Sequence, residues 1–135
     1  MAATYIYWIS TVLLTLLYLA SAGLYITKGA FARQAQQELG FSASFLVPFM
    51  IVVKILGPAV ILWRLSPALS DLAYAGILYH LILSGMAHLS VGKPKGAIPA
   101  VLGLVFLAAS FSTQNLARDT PSPYAPAAAI HANQH

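Results

Sequence analysis

The chain has 135 residues, of which 59% are hydrophobic and only 7% are charged. Its mean hydropathy of +0.78 lies far above that of a soluble domain, so the composition indicates an integral membrane protein whose first partner is the lipid bilayer. The net charge of +4 comes from basic residues scattered singly between apolar runs, which does not indicate nucleic-acid binding, and the lack of cysteine excludes disulfides, iron–sulfur clusters and thioether-linked haem within this chain.

Four apolar stretches are long enough to cross the ~30 Å hydrocarbon core of a membrane as helices. They cover about residues 5–27, 44–64, 70–90 and 95–115. Because the second and third connections are short, neighbouring spans should be antiparallel. Residues 1–116 are therefore predicted to form an all-α, up-down four-helix bundle, with Ser70 and Asp71 capping the third helix.

The connection between the first two spans, KGAFARQAQQELGF, carries apolar residues at Phe31, Ala35 and Leu39 with polar residues between them. This spacing predicts a short helix in the membrane interface, ended by Gly40. Residues 117–135 are rich in proline and alanine and have little to bury. We expect them to form an extended or disordered tail.

The basic residues of the connections predict the orientation of the bundle. Lys28, Arg33, Lys93 and Lys95 fall at one end, whereas Arg64 and Arg118 fall at the other. Because cytoplasmic loops carry an excess of lysine and arginine, both termini are expected on the non-cytoplasmic side.

Lys54 lies near the middle of the second predicted span, where inserting a lysine costs ~2.5–3.5 kcal/mol. Pro58, four residues later, has no N–H to donate to the Lys54 carbonyl, and Gly57 leaves room for a neighbouring helix. The sequence therefore predicts a kink at Gly57 and Pro58. A polar, kinked point at this depth is typical of a pocket. The alternative is that the Lys54 side chain extends to the membrane surface.

The third span carries Gly76, His80, Ser84 and His88 at intervals of four residues, which places them on one helix face. The tight hairpin should bring His80 level with Lys54, so we expect both to line one cavity. Their separation should be bridgeable by one hydrogen bond or one water. For each histidine the alternative is an interhelical hydrogen bond.

Further candidates for contact with a ligand come from the first span and from the same row of the third. The predicted ligand-binding set is Lys54, His80, Ser84, His88, Tyr18 and Tyr25. No metal site is expected, because the chain has no metal-binding motif and no acidic residue in the middle of a span.

Several short segments occur in a characteristic order over about residues 5–115. They are YWISTVLL, SAG, ELGF, KILG, DLAYAG and HLSVGKP. In this the chain resembles the DoxX-like family of small four-helix membrane proteins. The resemblance implies a four-helix bundle in a bacterial cytoplasmic membrane. The family's KILG lysine corresponds to Lys54, and its histidine before the Gly-x-Pro turn corresponds to His88.

The resemblance does not imply one activity. DoxX itself is known as a subunit of a thiosulfate:quinone oxidoreductase, and relatives are associated with redox complexes or with the assembly of other membrane proteins. The leading hypothesis is a subunit that binds an apolar, carbonyl-bearing ligand such as a quinone beside a redox protein. Lys54 would donate a hydrogen bond to a ligand oxygen. His80 would donate to another oxygen or relay a proton, and Tyr18 or Tyr25 would stack on the ring of the ligand.

Two other hypotheses stay open. The chain could be a non-enzymatic accessory or assembly subunit that uses its tail and the small-residue face of the fourth span, formed by Gly96, Ala100, Gly103 and Leu107. It could also be a stand-alone enzyme, such as an isomerase, that acts on a lipid-soluble substrate by acid–base chemistry. The sequence does not choose among the three.

Overall fold

The computed structural model describes residues 2–41, 45–64, 66–117 and 122–126, and the regular structure in these ranges is helical throughout. The helices are α1 (Ala2–Thr27), α2 (Gly29–Glu38), α3 (Leu46–Trp63), α4 (Pro67–Ser90) and α5 (Ile98–Thr113), with 3₁₀ turns at Pro94–Ala97 and Gln114–Ala117. Four stretches, Ala2–Thr27, Leu46–Trp63, Pro67–Ser90 and Pro94–Ala117, are long and apolar enough to span a membrane. The protein is an integral membrane protein, and the prediction of an all-α bundle is confirmed. Ser44, the predicted start of the second span, lies outside the described residues.

The spanning helices form a ring in which each contacts the next in the chain. α1 packs against α3 and α5, and α4 packs against the same two helices, so α1 and α4 lie diagonally across the bundle. Arg64, after the end of α3, lies over the rings of Tyr7 and Trp8 near the start of α1, which makes these two helices antiparallel. We call the end that holds the start of α1 the tail end, and the opposite end the α2 end.

The interior is filled by apolar side chains from all four spanning helices. The buried core includes Leu14, Ile61, Ile77, Leu81 and Leu107. The small-residue face of α5 points into this core, since Ala100, Gly103 and Leu107 are buried. A Cβ atom placed on Gly103 would lie 2.8 Å from Leu81 Cδ2. This face is therefore used for packing within the chain.

Helix α3 runs without interruption from Leu46 to Trp63, across Pro58. The side chain of Ile77 in α4 packs against Gly57, where an added Cβ atom would lie 3.4 Å from Ile77 Cδ1. Gly57 thus allows α3 and α4 to approach, as expected from the sequence. A bend of the helix axis at Gly57 and Pro58 stays a prediction.

Helix α2 forms where the sequence predicts a short helix, and Gly40 follows it with a φ of +94°. The residues that α2 buries are Ala32 and Gln36. Each lies one position after a member of the Phe31, Ala35, Leu39 row. Phe31 itself is 58% exposed, so part of the apolar row faces outward.

The predicted cap of the third spanning helix is wrong. Helix α4 begins at Pro67, and its N-cap is Ser66, whose side chain accepts a hydrogen bond from the Leu69 N–H at 3.1 Å. Proline suits the first turn because its φ is already helical and its missing N–H is not needed there. The helix therefore begins one turn before Ser70 and Asp71.

The described part of the tail corrects the expectation of an extended or disordered segment. Residues 122–126 turn back onto the tail end, where the Asn115 side-chain amide donates to the carbonyls of Ser122, Ala125 and Pro126 at 2.8, 3.1 and 3.1 Å. The Ser122 N–H donates to Asn115 Oδ1 at 2.7 Å, and its hydroxyl donates to Asp71 at 2.6 Å. The Asn115 side chain therefore provides hydrogen-bond partners for backbone groups of the turn that do not bond to one another. Residues 118–121 and 127–135 lie outside the described residues.

We predict that Asn115→Ala releases this turn. The substitution leaves several backbone groups without their partner, which costs about 1–3 kcal/mol, so local opening should rise about tenfold or more. Limited proteolysis with chymotrypsin, followed by mass spectrometry, should show faster cleavage after Tyr124. Gln37→Ala, on the exposed face of α2, is the matched control. Cleavage of Asn115→Ala at the wild-type rate would contradict the anchoring role.

Candidate functional site

A cavity of about 440 Å³ lies between the helices toward the α2 end, and we call it the central cavity. Its lining includes every residue that the sequence nominates as a ligand contact: Lys54, His80, Ser84, His88, Tyr18 and Tyr25. Residues of all four spanning helices and of α2 contribute to it. The bundle thus brings the nominated set together, and the binding role of that set stays a prediction.

Lys54 points into the bundle and is only 5% exposed. Its ammonium nitrogen lies 5.4 Å from the centroid of the Tyr18 ring and 5.0 Å from that of Tyr25. Both distances fit cation–π contacts, in which the negative face of each ring attracts the cation. Within the described residues Lys54 Nζ makes no hydrogen bond or ion pair. The side chain does not extend to the membrane surface, so the alternative of surface exposure does not apply.

His80 and Tyr18 form a hydrogen-bonded pair across the bundle. The Tyr18 hydroxyl lies 2.8 Å from His80 Nδ1, and the two ring centroids are 5.6 Å apart. His80 therefore makes the interhelical hydrogen bond that was the alternative to ligand binding. The two roles are compatible, because this bond uses only Nδ1 and leaves Nε2 for another partner.

His88 is held in one orientation at the α2 end of the cavity. Its Nδ1 lies 2.8 Å from the Ser84 carbonyl oxygen, which can only accept, so Nδ1 donates. In the neutral ring Nε2 is then an acceptor. The ring lies close to Gly96, where an added Cβ atom would be 2.1 Å from His88 Cδ2. Gly96, expected only as a packing residue, is needed to seat this ring.

The sequence did not point to the residues of α2 that line the central cavity. Gln36 is 8% exposed, and its amide lies 3.4 Å from the Tyr25 hydroxyl, which links α2 to α1. Phe31 and Ala35 of α2 line the cavity. An ion pair between Lys93 and Glu38 joins α2 to the turn before α5. The sequence carries no signal for this burial, because glutamine is usually exposed and the other glutamines of α2, Gln34 and Gln37, are exposed.

A family model supplies the identification. The model of the DoxX-like family matches residues 9–110, which is most of the chain. The chain belongs to the DoxX-like family. The match includes every cavity residue named above and excludes the docked turn at 122–126. Searches of curated proteins and of solved structures found no match for this DoxX-like protein.

The chemistry of the central cavity in this DoxX-like protein follows from its lining. Lys54 supplies a cation with three donors, and neither His80 nor His88 makes a hydrogen bond through Nε2 within the described ranges. Leu17, Leu24 and other apolar side chains form the walls, and none of the described lining residues is a carboxylate. Such a lining suits an apolar molecule that carries an oxygen acceptor.

We predict that Lys54 is protected from water-soluble amine reagents. Brief treatment of the detergent-solubilised protein with a sulfonated succinimidyl ester should modify Lys28 and Lys95, which are exposed, and leave Lys54 unmodified. Peptide mass spectrometry gives the modified fraction at each lysine. Lys54 should become reactive after unfolding in dodecyl sulfate. Equal modification of Lys54 and Lys28 in the folded protein would show that Lys54 is open to water.

Proposed function

We propose that this DoxX-like protein is a small membrane subunit that binds an apolar, carbonyl-bearing ligand such as a quinone in the central cavity, beside a redox partner. One observation carries the proposal. A buried ammonium group faces two aromatic rings in a cavity of about 440 Å³ and has no hydrogen-bond acceptor among the described residues. A ligand carbonyl could be the missing acceptor, because its oxygen would accept a hydrogen bond from Nζ while the apolar walls hold the rest of the molecule.

The other residues of the cavity fit defined roles in this proposal. His80 would donate through Nε2 to a second ligand oxygen, in the tautomer in which the Tyr18 hydroxyl donates to Nδ1. Tyr25 would pack against the ligand ring, supported by Gln36. The proposal assigns electron transfer to a separate protein, since the chain has no cysteine for a cluster or for covalently held haem.

The membrane and the orientation of the protein in it are inferred from the family and from the basic residues at the two ends of the bundle. The family resemblance seen in the sequence implies a bacterial cytoplasmic membrane. Lys28, Arg33, Lys93 and Lys95 belong to the α2 end, whereas Arg64 belongs to the tail end. Arg118, also counted at the tail end, lies outside the described residues. By the positive-inside rule, we infer that the α2 end is cytoplasmic and that α1 begins on the opposite side.

Of the alternatives, stand-alone acid–base catalysis has a specific observation in its favour. The Tyr18–His80 pair and Lys54 place proton donors and acceptors around one cavity. Turnover of a lipid-soluble substrate by the purified chain alone would favour this alternative. An assembly role has less support, because the docked turn and the small-residue face of α5 both have partners within the chain.

We predict that Lys54→Met weakens binding of decyl-tailed ubiquinone by about 10- to 100-fold. A hydrogen bond from a charged donor contributes about 1.5–3 kcal/mol, and each ~1.4 kcal/mol changes the dissociation constant tenfold. The measurement is equilibrium binding of the labelled quinone to the protein in nanodiscs. Methionine keeps the length of the side chain and removes a buried cation, so the fold should be retained.

Lys28→Met is the matched control, because Lys28 is exposed at the end of α1. It should bind like the wild type, whereas His80→Ala should bind more weakly. Wild-type affinity in both Lys54→Met and His80→Ala would refute quinone binding at this site.

A further inference from the structure

A second cavity, of about 290 Å³, lies between α3 and α4, and we call it the α3–α4 groove. Apolar residues such as Val53, Leu56 and Ile77 form most of its lining. Tyr18 and His80 also line it, although Tyr18 belongs to α1 on the other side of the groove and is only 3% exposed. The groove therefore runs from the outer surface of α3 and α4 to the hydrogen-bonded pair inside the bundle.

The same two residues line the central cavity. Tyr18 and His80 thus form a shared wall between a cavity with polar groups and a groove that is almost entirely apolar. We propose that the α3–α4 groove holds the apolar tail of the ligand whose head group occupies the central cavity, and that the ligand enters from the bilayer by this side. This inference rests on the proposed function.

Gly76 lies at the exposed side of the groove, where the lack of a side chain leaves the groove wider. It lies within α4, away from both ends of the helix. Its φ is not positive, so the backbone does not require glycine there. Apart from its chain neighbours and the backbone of its own helix, no described atom lies within 4 Å of a Cβ atom placed on Gly76, so close packing does not require glycine there either. The volume that a larger side chain at this position would fill is therefore open space in the groove.

The residues at the mouth of the groove indicate which part of a ligand could occupy it. Its outer residues Leu56 and Leu72 are 57% and 69% exposed, on the surface that the spanning helices present to lipid. A hydrocarbon chain could pass from the groove into the bilayer without meeting a polar layer. A smaller cavity of about 200 Å³ under α2 also reaches His80, but Gln36, Ser84 and His88 line it, which suits a tail less well.

The test compares a tail-less quinone with a polyisoprenoid-tailed quinone on three variants. Gly76→Leu fills the groove, and Ala87→Leu narrows the cavity under α2. Gly23→Leu is the matched control, because Gly23 also lies within a spanning helix, has no atom within 4 Å of an added Cβ, and lines neither the groove nor the central cavity. Dissociation constants are measured in nanodiscs by competition with the labelled decyl-tailed quinone.

We expect Gly76→Leu to weaken binding of the long-tailed quinone about tenfold or more, because several buried methylene groups lose their place, and to leave the tail-less quinone unaffected. Gly23→Leu and Ala87→Leu should bind both quinones like the wild type. Unchanged long-tail binding in Gly76→Leu, or a loss confined to Ala87→Leu, would overturn the groove assignment while the proposed function stands. Equal loss of both quinones in Gly76→Leu would also overturn it. A wild-type protein that binds neither quinone would refute the proposed function and this inference together.

Discussion

An ammonium group inside a membrane bundle has to be compensated by its surroundings, and the arrangement around Lys54 follows from that requirement. Inserting a lysine at the centre of a span costs ~2.5–3.5 kcal/mol, and a cation–π contact returns about 0.5–2 kcal/mol. The rings of Tyr18 and Tyr25 therefore offset much of the charge. They do not accept the directed hydrogen bonds that three N–H donors can make. Within the described residues, Lys54 Nζ makes no hydrogen bond to an acceptor.

Polar side chains at other depths hold the helices in register around this site. Toward the tail end, Ser110 lies 2.6 Å from both Thr11 and Tyr74, which joins α5 to α1 and α4. The Tyr18–His80 pair then joins α1 to α4 beside the cavity. Hydrogen bonds between membrane helices contribute about 0.6 kcal/mol on average. Their main effect is thus to fix which residues face each other, while close packing at Gly103 and similar positions provides cohesion.

The parts of the fold that depend on local pattern could be predicted from the sequence. Hydropathy predicted the spans, and the four-residue spacing on α4 predicted that His80, Ser84 and His88 share a face. The start of α4 could also have been predicted, because a serine followed directly by a proline, as at Ser66 and Pro67, is a stronger N-cap signal than Ser70 and Asp71. The docking of Ser122 on Asn115 could not be predicted, since it depends on where the end of α5 meets the chain in space. The contact of His88 with Gly96 depends on the packing of one turn in the same way.

We propose that the cavity around Lys54 holds the oxygen-bearing head group of an apolar ligand. The decisive measurement is an experimental structure of the protein in nanodiscs with decyl-tailed ubiquinone added. We expect density for the head group in the central cavity, with a ligand oxygen about 2.7–3.2 Å from Lys54 Nζ. A cavity without ligand density at saturating quinone, or a quinone bound only on the outer surface of the helices, would contradict it.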